Sequence, residues 1–181
     1  MELVTERLVL RDFVEEDWRS LRAIERQPEV VRYMTQDVAS DLSIRAYIEK
    51  GIATARALPR TVYDLAITLE GRFIGRCGLK RKDDEPRVAE LWYLLDPADQ
   101  GNGYAVEAAR ALVRFGFEEL GLHRIYADVD PRNLPSARLL ERLGMRREGH
   151  FVKDIWIKGE WCDTVIYALL ADEWFTATGR S

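Results

Sequence analysis

The stretch from Val88 to Leu120 constrains this chain most. An apolar run, VAELWYLL, meets Asp96-Pro97, passes through Gln100-Gly101-Asn102-Gly103, and continues at once into a helical stripe of small residues. The run predicts a central strand at Val88–Leu95, and the Asp-Pro pair ends it. From Ala105 the spacing of Ala105, Ala108, Ala109, Leu112, Gly116 and Leu120 gives one helical face. Its small side chains permit close packing against a neighbouring element, and Gly121 stands where such a helix stops. The rest of the chain must be arranged around this strand, glycine turn and helix.

Upstream, residues 5–13 carry the apolar pattern of a strand interrupted by Arg7 and Arg11, and Glu15-Glu16-Asp17 places acids where a first helical turn favours them. Pro28 breaks that helix and 30–37 reads as a loop. Ser40 or Asp41 caps a second helix to about Ala57. Strands at Val62–Leu69 and 72–79 flank Glu70-Gly71, a pair suited to a tight hairpin. Downstream, 125–129 is a strand, Asn133 caps a helix that tolerates Pro135 early and ends at Gly144, and runs at 148–157 and 164–170 flank Lys158-Gly159 as a terminal hairpin. Neither an interior linker nor a repeat divides the 181 residues, so a single domain over 1–181 is expected. Strand, two helices, three strands, helix, strand, helix and two strands predict an α/β fold, with one mixed, mostly antiparallel sheet flanked by helices. The pure alternation of a dinucleotide-binding domain is absent.

Composition narrows the function classes. Lys and Arg number 27 against 31 Asp and Glu, a formal charge of −4, which argues against nucleic acid as a partner. Cys77 and Cys162 lie far apart with only His123 and His150 to supplement them, so they read as free thiols and no metal is expected. The N-terminus lacks the basic segment and apolar run of a secretory signal, and no stretch approaches the ~18 apolar residues of a membrane span. A cytoplasmic protein that does not enter membranes is the expectation.

Gly101 and Gly103 admit positive φ, so successive N–H groups can converge on phosphate oxygens at a helix N-terminus. The same residues equally suit a tight strand-to-helix connection with no ligand. The GKS/T ending of a P-loop and the spacing of a dinucleotide fingerprint are both missing.

Gln100-x-x-Gly103-x-Ala105 resembles the Q/R-x-x-G-x-G/A acyl-CoA signature of the GNAT superfamily. Asn133-Leu-Pro-Ser136-Ala-Arg-Leu-Leu-Glu-Arg-Leu-Gly144-Met145 resembles its second CoA-side motif. The opening Thr5-Glu6-Arg7-Leu8-Val9-Leu10-Arg11 and the ending Trp156-Ile-Lys-Gly159-Glu-Trp161-Cys-Asp163, followed by Tyr167, are similar to the RimJ/RimL-like branch. The resemblance covers nearly the whole chain. It implies that main chain from Gln100 through Gly101, Asn102, Gly103, Tyr104 and Ala105 to Val106 binds the pyrophosphate of acetyl-CoA, that Tyr93, Leu94 and Leu95 pair with pantetheine, and that the Asn133 amide contacts the same arm. Arg138 reads as an exposed helical residue that could reach a phosphate.

The resemblance further implies a single-domain N-acetyltransferase that transfers acetyl to a primary amine, either a protein N-terminus or a small molecule, and it is compatible with a homodimer. A succinyl donor, or a CoA-binding sensor or interaction module without turnover, are the alternatives. An ammonium with a pKa near ~10 must lose a proton before it can attack a thioester. Glu90, at the start of the apolar strand, matches the glutamate that serves as base in some members; the alternative is a solvated strand-end charge. Ser136 matches the serine given the leaving-sulfur role in RimL-like members, or it is a helix-start hydroxyl bonding locally. The tyrosine that many members carry seven residues after the motif asparagine is replaced here by Leu140. By analogy Tyr33, Trp92 and Trp156 line the acceptor groove. Asp163 either orients the terminal hairpin, the preferred reading, or meets an amine. Neither cysteine stands beside a base, which favours direct transfer over a covalent thioester on the protein.

Overall fold

The computed structural model describes residues 1–35 and 38–179. The strands are β1 (Glu2–Val4), β2 (Leu8–Asp12), β3 (Val62–Leu69), β4 (Arg72–Arg81), β5 (Val88–Leu95), β6 (Arg124–Val129), β7 (Arg146–Ile157) and β8 (Glu160–Leu170). The helices are α1 (Asp17–Glu25), α2 (Pro28–Val31), α3 (Asp41–Ala55), α4 (Tyr104–Glu118), α5 (Leu134–Arg142) and α6 (Ala171–Thr178). One sheet runs β1-β2-β3-β4-β5-β6-β8-β7. Its neighbours are antiparallel except β5 and β6, which are parallel because α4 carries the chain back across the sheet between them.

The central elements follow the sequence pattern closely, and the departures have local causes. The expected strand over 5–13 is the shorter β2, with β1 ahead of it at Glu2–Val4, because Thr5 closes a turn between them: its N–H donates to Leu8 O at 2.9 Å and its hydroxyl oxygen accepts from Leu8 N at 2.9 Å. The expected loop over 30–37 begins inside the short α2, while its last residues, Gln36 and Asp37, lie outside the described residues. Helix α6 was not foreseen. Glu173 accepts from the Leu170 N–H at 2.8 Å to start it, and Trp174 is buried with its ring 6.0 Å from that of Phe117.

Side chains alternate along a strand, so β5 sorts its residues onto two faces. Ala89, Leu91 and Leu95 join the larger core with Ala108, Leu112 and Leu140 of α4 and α5. Gly116 lets α4 approach closely, since a Cβ there would stand 2.9 Å from Ile125 Cδ1 and 3.0 Å from Leu79 Cδ1. Burying a leucine such as Leu112 contributes about 1.5–3 kcal/mol. The opposite face carries a smaller core in which Leu94 meets Phe13, Leu21, Ile44 and Ile48 from β2 onward through α1 and α3. Within it Arg76 donates to Glu25 at 3.1 Å and to the Tyr47 hydroxyl at 2.7 Å, and Tyr47 donates to Asp64. These buried polar contacts fix how α1 and α3 sit over the sheet.

Candidate active site

The pairing of β5 with β6 consists of Val88↔Arg124, Ala89↔Ile125 and Glu90↔Tyr126. Beyond Glu90 the strands part. Between them lies a cavity of about 780 Å³ bordered by Leu91–Leu95 of β5, Ala127–Asp130 of β6 and its following turn, the start of α4, and Asn133, Ser136 and Arg138 of α5. Glu29, Val30, Tyr33 and Met34 close it on the α2 side.

The glycine turn forms one wall. Asp96 accepts from Ala98 N at 3.1 Å, and Asp99, buried, takes two hydrogen bonds from Arg72 at 2.9 and 2.7 Å. The Arg72 guanidinium holds the Asp99 carboxyl below the usual carboxylate range. Gln100 donates to Leu95 O at 3.2 Å, while Asn102 turns back to Asp99 O and Gln100 O. Gly101 and Gly103 have φ of 82° and 81°. Gly103 is the N-cap of α4, and no side chain caps that helix. The Glu107 N–H makes the first bond of the helical ladder, to Gly103 O at 3.0 Å. The N–H groups of Tyr104, Ala105 and Val106 therefore have no partner within the helix. They line the cavity at the positive end of the helix dipole, an arrangement suited to phosphate. A Cβ on Gly101 would meet nothing within 4 Å, so its positive φ, and not crowding, is what glycine serves there.

Two residues outside the expected set secure this wall. Thr5 donates to Glu107 at 2.6 Å, and Arg7 donates to the same carboxylate through its backbone N–H at 2.9 Å and its Nε at 2.7 Å. Arg7 also donates to Asn102 O at 3.0 Å, and its guanidinium lies 4.6 Å from the Tyr104 ring centroid. Burial works to raise the Glu107 carboxyl, but the bonds from Thr5 and Arg7 outweigh it and hold Glu107 low. The turn between β1 and β2 thus ties down the first turn of α4.

Groups able to move protons stand on opposite faces at the opening. Tyr93 points toward α5, where its hydroxyl lies 2.6 Å from Ser136 Oγ and donates to Ser136 O at 3.1 Å. Burial pushes the Tyr93 hydroxyl up to about 12, with the Ser136 bond opposing, so the phenol keeps its proton at neutral pH. Glu90 and Trp92 face the other way. Glu90, half-buried, is not on the lining of the main cavity and borders instead a recess of about 370 Å³ with Lys80, Lys82 and Tyr126. Burial raises its carboxyl, the neighbouring Asp128 raises it further, and Lys80 partly opposes them. Asp128 itself lines the main cavity.

Trp92 and Tyr33 both line the main cavity. The Trp92 ring packs over Gly78, and Tyr33 lies 5.9 Å from the Arg132 guanidinium. Trp156, in contrast, stands away from it: 57% exposed, it meets Trp161 edge to face at 5.4 Å on the outer hairpin. Asn133 lines the cavity and caps α5 through a bond from Ser136 N at 3.3 Å. Arg138 is exposed and also on the cavity lining. Asp163 accepts from His150 at 2.7 Å and from Lys153 N at 2.9 Å, which organises the β7–β8 hairpin. Both cysteines are free and buried, and burial pushes the Cys77 thiol up. No helix among the described residues is long and apolar enough to cross a membrane.

The acetyltransferase (GNAT) domain family model matches residues 7–146. The uncharacterized N-acetyltransferase YnaD of Bacillus subtilis (strain 168) is 34% identical over 175 residues, covering 96% of this chain and 99% of that one. The solved structure of a GNAT-family acetyltransferase from Bacillus anthracis shares 32% identity and a TM-score of 0.85, over 96% of this chain and 100% of the other. The spermidine N-acetyltransferase from Vibrio cholerae, solved with CoA and spermine, has the same fold at 22% identity, with a TM-score of 0.82 over 94% and 99% of the two chains.

Proposed function

The chain belongs to the GNAT acetyltransferase family and is an acyl-CoA-dependent N-acetyltransferase, and on that premise we propose that it moves acetyl from acetyl-CoA directly to a primary amine held in the same cavity. The acceptor is a protein N-terminus or a small-molecule amine. The observation that carries this reading is the parting of β5 from β6 directly beyond Glu90, beside an α4 N-terminus with free N–H groups. Glu29 and Asp128 on the amine side supply negative charge suited to an ammonium group.

When bound, acetyl-CoA supplies a thioester, with which the amine forms a new N–C bond as the C–S bond breaks. The N–H groups from Gln100 to Val106 hold the pyrophosphate, and the edge of β5 at Tyr93–Leu95, with the Asn133 amide, holds the pantetheine arm. Glu90 takes a proton from the ammonium, freeing the lone pair, and passes it to solvent, directly or through water. As the amide forms, nitrogen sheds a second proton and the departing sulfur gains one. Ser136 Oγ is the donor on the sulfur side, and the Tyr93 hydroxyl at 2.6 Å can replenish its proton. Trp92 and Tyr33 form the apolar walls of the acceptor channel.

Thiol release from acetyl-CoA, measured across peptides, polyamines and aminoglycosides with mass spectrometry of each product, identifies the acceptor. Saturable CoA binding with no transfer to any amine would replace this reading with a CoA-binding module. For the base, Glu90→Gln is expected to lower turnover by roughly 10²–10⁴-fold where the acceptor is protonated, with acetyl-CoA affinity kept, and to recover as pH rises. Parallel pH–rate profiles for variant and wild type would remove Glu90 from the proton path.

A further inference from the structure

Arg7 belongs to the turn between β1 and β2, yet its guanidinium reaches the glycine turn ahead of α4. It does so from outside the cavity, whose lining includes Gly101, Gly103 and Tyr104 but neither Asn102 nor Arg7. Glu107 holds it there. That carboxylate accepts from the Arg7 backbone N–H at 2.9 Å and from Nε at 2.7 Å, pairs with Nη2 at 2.6 Å, and is itself fixed by the Thr5 hydroxyl at 2.6 Å. Nη1 is left to donate to Asn102 O at 3.0 Å. The Asn102–Gly103 bond is trans, so its C=O and N–H point in opposite directions. With the oxygen drawn to Arg7, the Gly103 N–H is turned toward the cavity that Gly103 lines, and it has no hydrogen-bond partner among the described residues. Gly103, at φ 81° and ψ 1°, has the dihedrals of the third residue of a type II turn. A type I turn differs by turning over the peptide ahead of that residue, and glycine accepts both. A partner outside the turn is what fixes the direction of this N–H.

We propose that Arg7 is a positioning residue for the CoA pyrophosphate: it holds the Asn102–Gly103 peptide so that the Gly103 N–H, and not the Asn102 oxygen, meets the phosphate oxygens. This rests on phosphate binding at the α4 N-terminus. The Gly103 N–H joins those of Tyr104, Ala105 and Val106 as a donor, extending the cradle by one residue into the turn. Turned over, the same peptide would set a carbonyl oxygen against an anion and forfeit a charge-assisted hydrogen bond. Arginine suits the task because its rigid, planar fork engages the carboxylate and the carbonyl at once, whereas a lysine ammonium is a compact charge on a flexible stem. Glu107 in turn anchors the fork.

The test compares wild type, Arg7→Lys, Arg7→Gln and the double variant Arg7→Gln/Glu107→Gln. Calorimetry with CoA gives Kd, nitrogen-15 NMR follows the Gly103 amide, and phosphorus-31 NMR follows the CoA phosphates. In wild type the Gly103 amide proton moves downfield as CoA binds. In Arg7→Lys, which keeps a cation beside Glu107, and in Arg7→Gln that shift is lost and the pyrophosphate resonances of bound CoA change, while its remaining phosphate is unaffected. Kd rises about tenfold or more, the loss of one hydrogen bond to a charged group. The double variant recovers little, because removing the Glu107 charge does not turn the peptide back. Wild-type Kd and Gly103 shift in Arg7→Lys, or full recovery in the double variant, would mean that Arg7 supplies only charge and would overturn the proposal. A weaker Kd with the Gly103 shift kept would mean that Arg7 is merely structural, and would overturn it equally. If CoA binds wild type yet moves neither the Gly103 amide nor the pyrophosphate resonances, phosphate binding at this helix end falls and takes the role of Arg7 with it.

Discussion

Replacing Gly103 with valine isolates the contribution of the α4 N-terminus. Gly103 has φ of 81°, a conformation that costs a residue with a side chain about 1–2 kcal/mol. A Cβ at this position would meet only Arg7 Nη2, at 3.5 Å, which is ordinary contact. Backbone strain is therefore the main penalty, and the protein should fold with Tm lower by about 2–8 °C, given ~2–4 °C per kcal/mol in a chain of this size. Ligand binding should suffer separately if phosphate sits on the Tyr104–Val106 N–H groups, because the strain falls on the N-cap residue that sets their direction. Losing one hydrogen bond to a charged phosphate costs about 1.5–3 kcal/mol, which is roughly a ten- to hundredfold rise in Kd. Calorimetric titration with acetyl-CoA measures that rise directly. Gly121→Val, at φ of 62° beyond the other end of α4 and with nothing within 4 Å, is the control that imposes similar strain away from the cavity. Unchanged affinity in folded Gly103→Val, or an equal loss in Gly121→Val, would refute phosphate binding at this helix end.

Two more substitutions probe the opposite faces of β5. Ser136→Ala leaves the Tyr93 hydroxyl bonded to the backbone oxygen of residue 136, so denaturant melts should show a loss of about 1 kcal/mol, while steady-state kcat falls about 10²-fold if the serine protonates the departing sulfur. In Gly78→Ala the new methyl would overlap the Trp92 ring, costing about 1–3 kcal/mol. Because Trp92 must shift, the acceptor KM should rise in initial-rate assays with acetyl-CoA affinity preserved; an unchanged acceptor KM would exclude Trp92 from the channel.

The strand, glycine turn and helix were legible because each carries its own local chemistry: an eight-residue apolar run, two glycines at positive φ and an alanine stripe. What escaped was cooperation between segments distant in sequence. Glu107 reads as one acid on a helix, yet Thr5 and Arg7 bind it from about a hundred residues away. Tyr93 was read for its main chain alone, although strand alternation already separates its side chain from those of Glu90 and Trp92. The same two-residue period on β6 puts Asp128 on the face of Tyr126, but which β5 residues that face stands beside depends on strand order, which local pattern does not carry. Trp156 is the opposite case: its motif position suggests a groove residue, while its side chain lies exposed against Trp161 on the β7–β8 hairpin. Helix α6 went unassigned because what seats it, Trp174 against Phe117, lies across the fold and not in its own eight residues.

The three rungs between β5 and β6 also make the sheet two leaves, β1 to β5 and β6 with β8 and β7, stitched along a short seam. Past the last stitch, β5 has a raw edge inside the molecule. Raw edges usually invite a foreign strand to pair, but here a whole polypeptide would have to thread between α2 and α5 to reach it. A slender, amide-bearing arm can enter where a strand cannot. Such a guest would share main-chain bonds with one leaf and side-chain contacts with the other, acting as the missing stitches, so occupancy should stiffen the whole sheet as well as fill a hole.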